Sequence, residues 1–229
     1  IEKLVGNIAS SQLNVKLPLM NLKVKNVNSD ILYIKNKTLE TLSLMRLNYH
    51  LDGKKVNDNK IVISKSKSKH IKLFIKNGSY QIMDVLSKKT NLFNYDYFSK
   101  LKDPSIRNFQ IHTSHRDILN YFSLTVDSPL FKLNEQYQLN DISFDVHGDL
   151  KKGRININSI SMNNDMTNLI KKMNGIITYN IRGKSIYFSS NNLQDNNGNL
   201  ISISGKKISK YPSLKIEISS TIKEITRTI

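Results

Sequence analysis

Four times along this chain, two apolar residues separated by a single residue are followed two positions later by glycine. The copies are Tyr49-His-Leu51-Asp-Gly53, Phe144-Asp-Val146-His-Gly148, Tyr179-Asn-Ile181-Arg-Gly183 and Ile201-Ser-Ile203-Ser-Gly205. Successive side chains of a strand point to opposite faces, so each copy sends its two apolar residues to one face. Glycine then accepts the positive φ that a tight turn requires. Few folds other than an antiparallel meander tolerate this grammar. A meander of that kind has one apolar face, and the functional question is what covers it.

The rest of the sequence agrees. Alternation runs through Leu13–Leu17, Leu22–Val24, Leu44–Leu51, Ile61–Ile63 and Ile71–Ile75, then more densely through Ile142–Val146, Arg154–Ile157, Ile177–Ile181, Ile186–Phe188, Leu200–Ile203 and Leu214–Ile218. Asp52-Gly53, Asn77-Gly78, Asn174-Gly175 and Asn197-Gly198 are turn dipeptides. Ala9 is the only alanine and tryptophan is absent, a composition poor for helices and suited to twisted strands. Three short segments depart from the two-residue period with i, i+3, i+4 spacing: Tyr80–Lys88, His115–Phe122 and Met166–Met173. They predict short helices leaning on the sheet as lids or end plugs. The segment from Asn91 to Ser105, with Asp103-Pro104, carries few regular signals. It suggests a weak joint between an N-terminal part, residues 1–100 with a helix near 80–88, and a C-terminal meander, residues 101–229.

The formal charge is +17, from 35 Lys and Arg against 18 Asp and Glu, which raises nucleic acid or an anionic membrane as partners. Lys, Asn and Ile are also what AT-rich codons supply, so the excess reads first as solvated surface. Without cysteine there is no disulfide framework, thiolate metal site or cysteine nucleophile. No run approaches the roughly 18 apolar residues that span a bilayer, and no signal-peptide pattern opens the chain. A start at Ile1 and a stop at Ile229 after a strand-like run read as an excerpt of a longer protein, with any anchor outside it.

Candidate chemistry is sparse. His112 and His115 stand three apart without a convincing third ligand, and His147 sits beside Gly148 at an expected turn. Asp141, Asp145 and Asp149 flank a strand and read as its solvent face rather than as paired catalytic carboxylates. G-x-S-x-G, a glycine-rich phosphate loop and H-E-x-x-H are absent, so no enzyme, cofactor or metal is expected. The strongest charge feature is Ser64-Lys-Ser-Lys-Ser-Lys69, where Lys65, Lys67 and Lys69 could contact anionic head groups or nucleic acid. A hairpin end between the Ile61 and Ile71 strands, with lysines opposing edge pairing, is the plainer reading. Interleaved aromatics for stacking bases are lacking, and no nucleic acid is expected.

Residues 139–218 resemble the AsmA-like superfamily, and in particular its YhdP-type members from Gram-negative bacteria. The resemblance rests on Leu139-Asn-Asp-Ile-Ser-Phe-Asp-Val-His-Gly148, Leu150-Lys-Lys-Gly153, Met173-Asn-Gly-Ile-Ile-Thr-Tyr-Asn-Ile-Arg-Gly183, Ile186-Tyr-Phe188, Gly198-Asn-Leu-Ile-Ser-Ile-Ser-Gly205 and Tyr211-Pro-Ser-Leu-Lys-Ile-Glu-Ile-Ser219. It implies a long sheet curled into a taco-like groove, anchored in the inner membrane and carrying phospholipids across the periplasm to the outer membrane. Membrane contact would be made through parts outside this chain. The lining would be Phe144, Val146, Ile155, Ile157, Ile177, Tyr179, Ile181, Ile186, Phe188, Ile201, Ile203, Leu214, Ile216 and Ile218, with phospholipid acyl chains as the missing half of the core. The competing expectations are a structural or adaptor β-sandwich of an envelope complex, in which the same residues form a filled core, and a basic nucleic-acid-binding module.

Overall fold

The computed structural model describes residues 1–17, 20–51, 54–68, 70–78, 100–114, 119–132, 135–164, 168–183, 185–208 and 211–219. The strands are β1 (Glu2–Leu17), β2 (Met20–Lys35), β3 (Leu39–Leu51), β4 (Lys54–Ser66), β5 (Ile71–Gly78), β6 (Leu101–Lys102), β7 (Ser105–Thr113), β8 (Leu119–Lys132), β9 (Tyr137–Gly148), β10 (Lys152–Asn164), β11 (Asn168–Arg182), β12 (Ser185–Gln194), β13 (Leu200–Ile208) and β14 (Tyr211–Ser219). They form one antiparallel meander in chain order, apart from β6, which pairs with β8. The chain divides into two compact units, Ile1–Tyr95 with Ser105–Thr125, and Asp96–Pro104 with Val126–Ile229.

Among the described residues there is no helix. Of the three expected short helices, Tyr80–Lys88 lies outside the described residues. The described part of His115–Phe122 opens β8, and that of Met166–Met173 opens β11. For Met166–Met173 the reason is a β-bulge of a kind that recurs along the chain. Six non-glycine residues inside the strands adopt positive φ: Asn26 (51°), Arg46 (48°), Asp58 (48°), Asn108 (52°), Asp141 (51°) and Lys172 (49°). Each is the third residue of a four-residue unit whose ends are apolar or inward: Val24 to Val27, Leu44 to Leu47, Val56 to Asn59, Ile106 to Phe109, Leu139 to Ile142 and Ile170 to Met173. An extra residue in a strand restores the same face after three positions instead of two. Ile170 therefore opposes Met162, and Met173 opposes Ile160. The three-residue spacing that suggests a helix is here the spacing of a bulge.

Asn and Asp tolerate the left-handed region because their short side chains bond locally; Arg46 and Lys172 lack that excuse. Their strain is on the order of 1 kcal/mol each. Burying apolar side chains that flank a bulge, such as Val24 with Val27 and Leu44 with Leu47, yields about 1.5–3 kcal/mol each, which exceeds that strain. In the first unit the bulges are also tied together on the polar face. Arg46 is hydrogen-bonded and ion-paired to Asp30. Asn48 donates to the Arg46 carbonyl at 3.0 Å and accepts from the Asp58 amide at 3.1 Å. Lys76 closes on the Asp58 carboxylate at 2.7 Å, holding its pKa below the ordinary carboxylate value.

Inside the same unit, register stacks apolar residues into cross-strand rows. Leu44, Ile61, Ile75 and Phe109 form one row over β3, β4, β5 and β7, and Leu42, Ile63, Leu73 and Ile111 form the next. Leu73, Ile75, Phe109 and Ile111 are fully buried. Two residues along β4 from the first row, opposite Leu47, stands Asn59, a fully buried polar residue. Its Nδ2 donates to the Asn77 carbonyl at 2.7 Å and its Oδ1 accepts from the Asn77 amide at 2.9 Å. Where the Asp58 bulge interrupts the β4–β5 ladder, this side-chain amide stands in for a peptide group. A second donation, to the Tyr49 hydroxyl at 3.0 Å, opposes the rise that burial imposes on the Tyr49 pKa.

Candidate functional site

In the second unit the strand register carries apolar character across six strands on one face. Phe144 and Val146 oppose Ile157 and Ile155. Ile155 opposes Ile177, while Tyr179 and Ile181 oppose Phe188 and Ile186. Ile201 and Ile203 oppose Ile218 and Ile216. Directly opposed residues share a face, so the eleven expected lining residues with described side chains lie on the same side, and Leu214, opposite Gly205, holds the matching register position in β14 with Ile216 and Ile218. Burial divides them. Val146, Ile157, Tyr179, Ile186 and Ile201 are buried, whereas Phe144, Ile155, Ile177, Ile181, Phe188 and Ile203 are half-buried. The side chains of Leu214, Ile216 and Ile218 lie outside the described ones, although their backbone pairing is described.

A line of register shifts crosses this face in β9, β10, β11 and β12. Residues beside it converge: Ile157, Met173, Leu193 and Ile201, from four successive strands, form one buried cluster, with Ile155, Ile160, Met162, Ile177 and Ile203 packed against it. On a flat sheet β10 and β13 would be roughly 14 Å apart, three strand spacings, so side chains from intervening strands must lean inward. Gly175 permits this. Its φ is +135°, and a Cβ there would lie 2.8 Å from Leu193 Cδ2 and from the Asn192 carbonyl oxygen. Leu193 thus rests on the bare backbone of β11.

The other glycines of the repeated grammar serve space more often than turning. Gly183 has the positive φ of a turn, at 61°. Gly205 instead lies within β13 opposite Phe188. Gly148 and Gly153 lie beneath the Tyr179 ring, and a Cβ on Gly153 would be 2.4 Å from Tyr179 Cζ and 2.3 Å from the His147 carbonyl oxygen. Tyr179 reaches past them to donate to the Asp149 carbonyl at 3.3 Å. Burial, with the nearby Asp149 charge, raises its pKa well above the ordinary phenol value and keeps it neutral. Asn174-Gly175 is accordingly part of β11 and not a turn. Asn197-Gly198 is a turn, capped by the Asp195 carboxylate, whose Oδ1 accepts from the amides of Asn197 at 2.9 Å and Asn199 at 2.8 Å. Asp52-Gly53 lies outside the described residues.

Among the described residues the polar candidates lie apart from one another, each with its own local role. Asp149 caps the β9–β10 turn by accepting from the amides of Lys151 at 2.6 Å and Lys152 at 2.8 Å. Asp145 accepts from Asn158 Nδ2 at 3.1 Å, and Asp141 is an exposed bulge residue. Among the described residues no group of three or more His, Asp or Glu could hold a metal ion. His115 lies outside the described residues. His112 sits in β7 opposite Lys72, its ring 5.0 Å from that of Tyr121. Burial first, and Lys72 second, lower its pKa. A depressed imidazole favours the neutral form in the folded chain, so its contribution to stability is complete above the unfolded value near 6.5 and is lost as pH falls through the folded one. The urea midpoint is therefore expected to fall between about pH 7.5 and about pH 5.5, and His112→Asn to remove part of that dependence. An unchanged slope in the variant would place the dependence elsewhere.

The lysine run is the end of the β4–β5 hairpin. Lys65 and Lys67 are exposed, the Lys67 amide donates to the Thr38 carbonyl at 3.1 Å, and Lys69 lies outside the described residues. Changing Lys65 and Lys67 together to Ser is expected to leave the melting temperature within about 2 °C of the parent, since exposed charges away from partners contribute within ±0.5 kcal/mol. A larger drop, read by circular dichroism, would give them a structural role.

Sequence reasoning puts the alternating apolar residues on one face, but it reads Gly175 as a turn residue and Asp141 as ordinary solvent face, and it gives no role to Asn59 or to the other bulge residues. Their signal is the apolar pair three apart with Asn, Asp, Lys or Arg in third place. No protein-family model, no curated protein and no solved structure matches this chain.

Proposed function

We propose that this chain is a segment of a bridge-like lipid-transfer protein, in which phospholipid acyl chains rest on the apolar face of β9–β14. The observation that carries this reading is the shared face of apolar residues across β9–β13, continued by the register of β14, with six of its residues only half-buried. All described strands belong to one sheet, and half-covered apolar area gains roughly 25 cal/mol for each Å² that an acyl chain removes from water. The resemblance to AsmA-like, YhdP-type proteins supplies the biological setting: phospholipid passage between inner and outer membranes, in the periplasm of a Gram-negative bacterium, with anchoring by parts outside this chain. The work is non-covalent. It needs continuity of apolar surface rather than a nucleophile or a metal.

A second reading has an observation of its own. Val146, Tyr179, Ile186 and Ile201 are at most 3 % exposed, as expected of a filled core in a structural or adaptor domain. Native mass spectrometry of the purified chain separates the two. Co-purified phospholipid that exchanges with added lipid supports transfer, whereas a bare protein that takes up no lipid from vesicles overturns it in favour of the filled core.

A further inference from the structure

The opposite face of the second unit carries a different signal. Tyr187, in β12, points away from the apolar face and is 38 % exposed; among the Tyr and Phe residues whose burial is described it is the only exposed one. Two cations share its ring: Arg182 Cζ lies 5.8 Å from the ring centroid and Lys206 Nζ 5.4 Å from it. Register explains the grouping. Lys152, Asn180, Tyr187 and Lys206 oppose one another in a single row across β10, β11, β12 and β13, and Arg154 lies in the next row opposite Thr178. Cation–π attraction holds each charge at the ring. No described carboxylate is in ion-pair distance of Lys152, Arg154 or Arg182. The nearest acid along the chain, Asp149, already accepts from two turn amides.

We propose that this outer face, centred on Tyr187, docks on the anionic phospholipid head groups of a membrane surface. The row from Lys152 to Lys206 spans three strand spacings, roughly 14 Å, which is broader than one phosphate and suited to several head groups side by side. Tyrosine flanked by arginine and lysine is interfacial chemistry: the ring enters the boundary between head group and chain, while the hydroxyl and the cations stay with water and phosphate. A nucleic acid would call for successive stacking platforms, and a single ring offers one. The inference goes beyond lipid carriage on the opposite face and does not depend on it.

The test is flotation of the full chain with phosphatidylcholine vesicles, with and without phosphatidylglycerol, at low and physiological salt. Binding is expected only to the anionic vesicles and to weaken as salt rises. Replacing Arg182 and Lys206 together by Gln is expected to weaken it on the order of 30-fold, about fivefold for each charge near the surface. Tyr187→Ser is expected to weaken it further at physiological salt, where the ring's insertion is not screened. The Lys65→Ser, Lys67→Ser pair is expected to weaken it less than the Arg182 and Lys206 pair, and unchanged melts confirm that all variants are folded. Equal binding of the Arg182, Lys206 variant and the parent would overturn the proposal. So would equal binding to neutral vesicles, or tighter binding to a single-stranded polynucleotide than to anionic vesicles. Native mass spectra of the same variant keep the two readings apart: retained lipid with lost vesicle binding supports docking by the outer face, while absence of lipid from every form with vesicle binding intact strikes only at lipid carriage.

Discussion

Ile201→Asp is expected to unfold the second unit, whereas Ile181→Asp is expected to leave it folded and strip it of bound lipid. Ile201 is 1 % exposed and packed in the cluster with Ile157, Met173 and Leu193. An unpaired carboxylate there has no partner to offset its lost hydration, and breaking such a site costs about 3–5 kcal/mol. That is a large share of the roughly 5–15 kcal/mol by which domains are stable. Ile181 lies on the same face, opposite Ile186, but it is half-buried and one residue from the end of β11. A carboxylate at that position keeps part of its water, so the fold should lose only about 1–2 kcal/mol, near the typical cost of a point substitution. On the proposed lipid-transfer reading it would nevertheless put a charge in the path of an acyl chain. Phe188, half-buried and opposite Tyr179, should respond as Ile181 does. Thermal melts and native mass spectra of the variants decide the matter. If Ile181→Asp melts as low as Ile201→Asp, the face is a filled core and the adaptor reading gains.

Asn59→Leu is expected to destabilise the first unit by about 3–5 kcal/mol, despite exchanging a buried polar residue for an apolar one of similar size. The side chain is not the group at risk. Its removal leaves both the amide and the carbonyl of Asn77 without their partner, and each unsatisfied buried group costs about 1–3 kcal/mol. Asn59→Asp should be nearly as harmful, because a carboxylate can accept from the Asn77 amide but cannot donate to its carbonyl. Asp58→Gly serves as a contrast. It relieves positive φ at the bulge while surrendering only an exposed ion pair, so a change within about 1 kcal/mol is expected. Urea denaturation of the three variants reads these differences directly. A mild effect at Asn59 would mean that the β4–β5 ladder closes by itself and that the side-chain amide is incidental.

What the amino-acid sequence by itself determined is parity. Residues two apart in a strand share a face whatever lies around them, so Phe144 with Val146, Ile155 with Ile157, and Ile201 with Ile203 are assigned to one side by period alone. The antiparallel meander follows, since short alternating runs joined by brief polar links have no room for crossovers. What only the tertiary structure decided is everything that depends on a neighbouring strand. Gly148 and Gly205 read as turn residues, but the first lies under Tyr179 and the second faces Phe188, because the missing side chain makes room across the ladder. Met166–Met173 reads as a helix, but the extra residue of a bulge at Lys172 returns Ile170 and Met173 to one face after three steps. Asn59 is given no role by the sequence pattern, but it is buried because the ladder beside it is interrupted. Local periodicity records where a side chain points, while burial, spacing and hydrogen-bond supply are settled by strands distant in sequence.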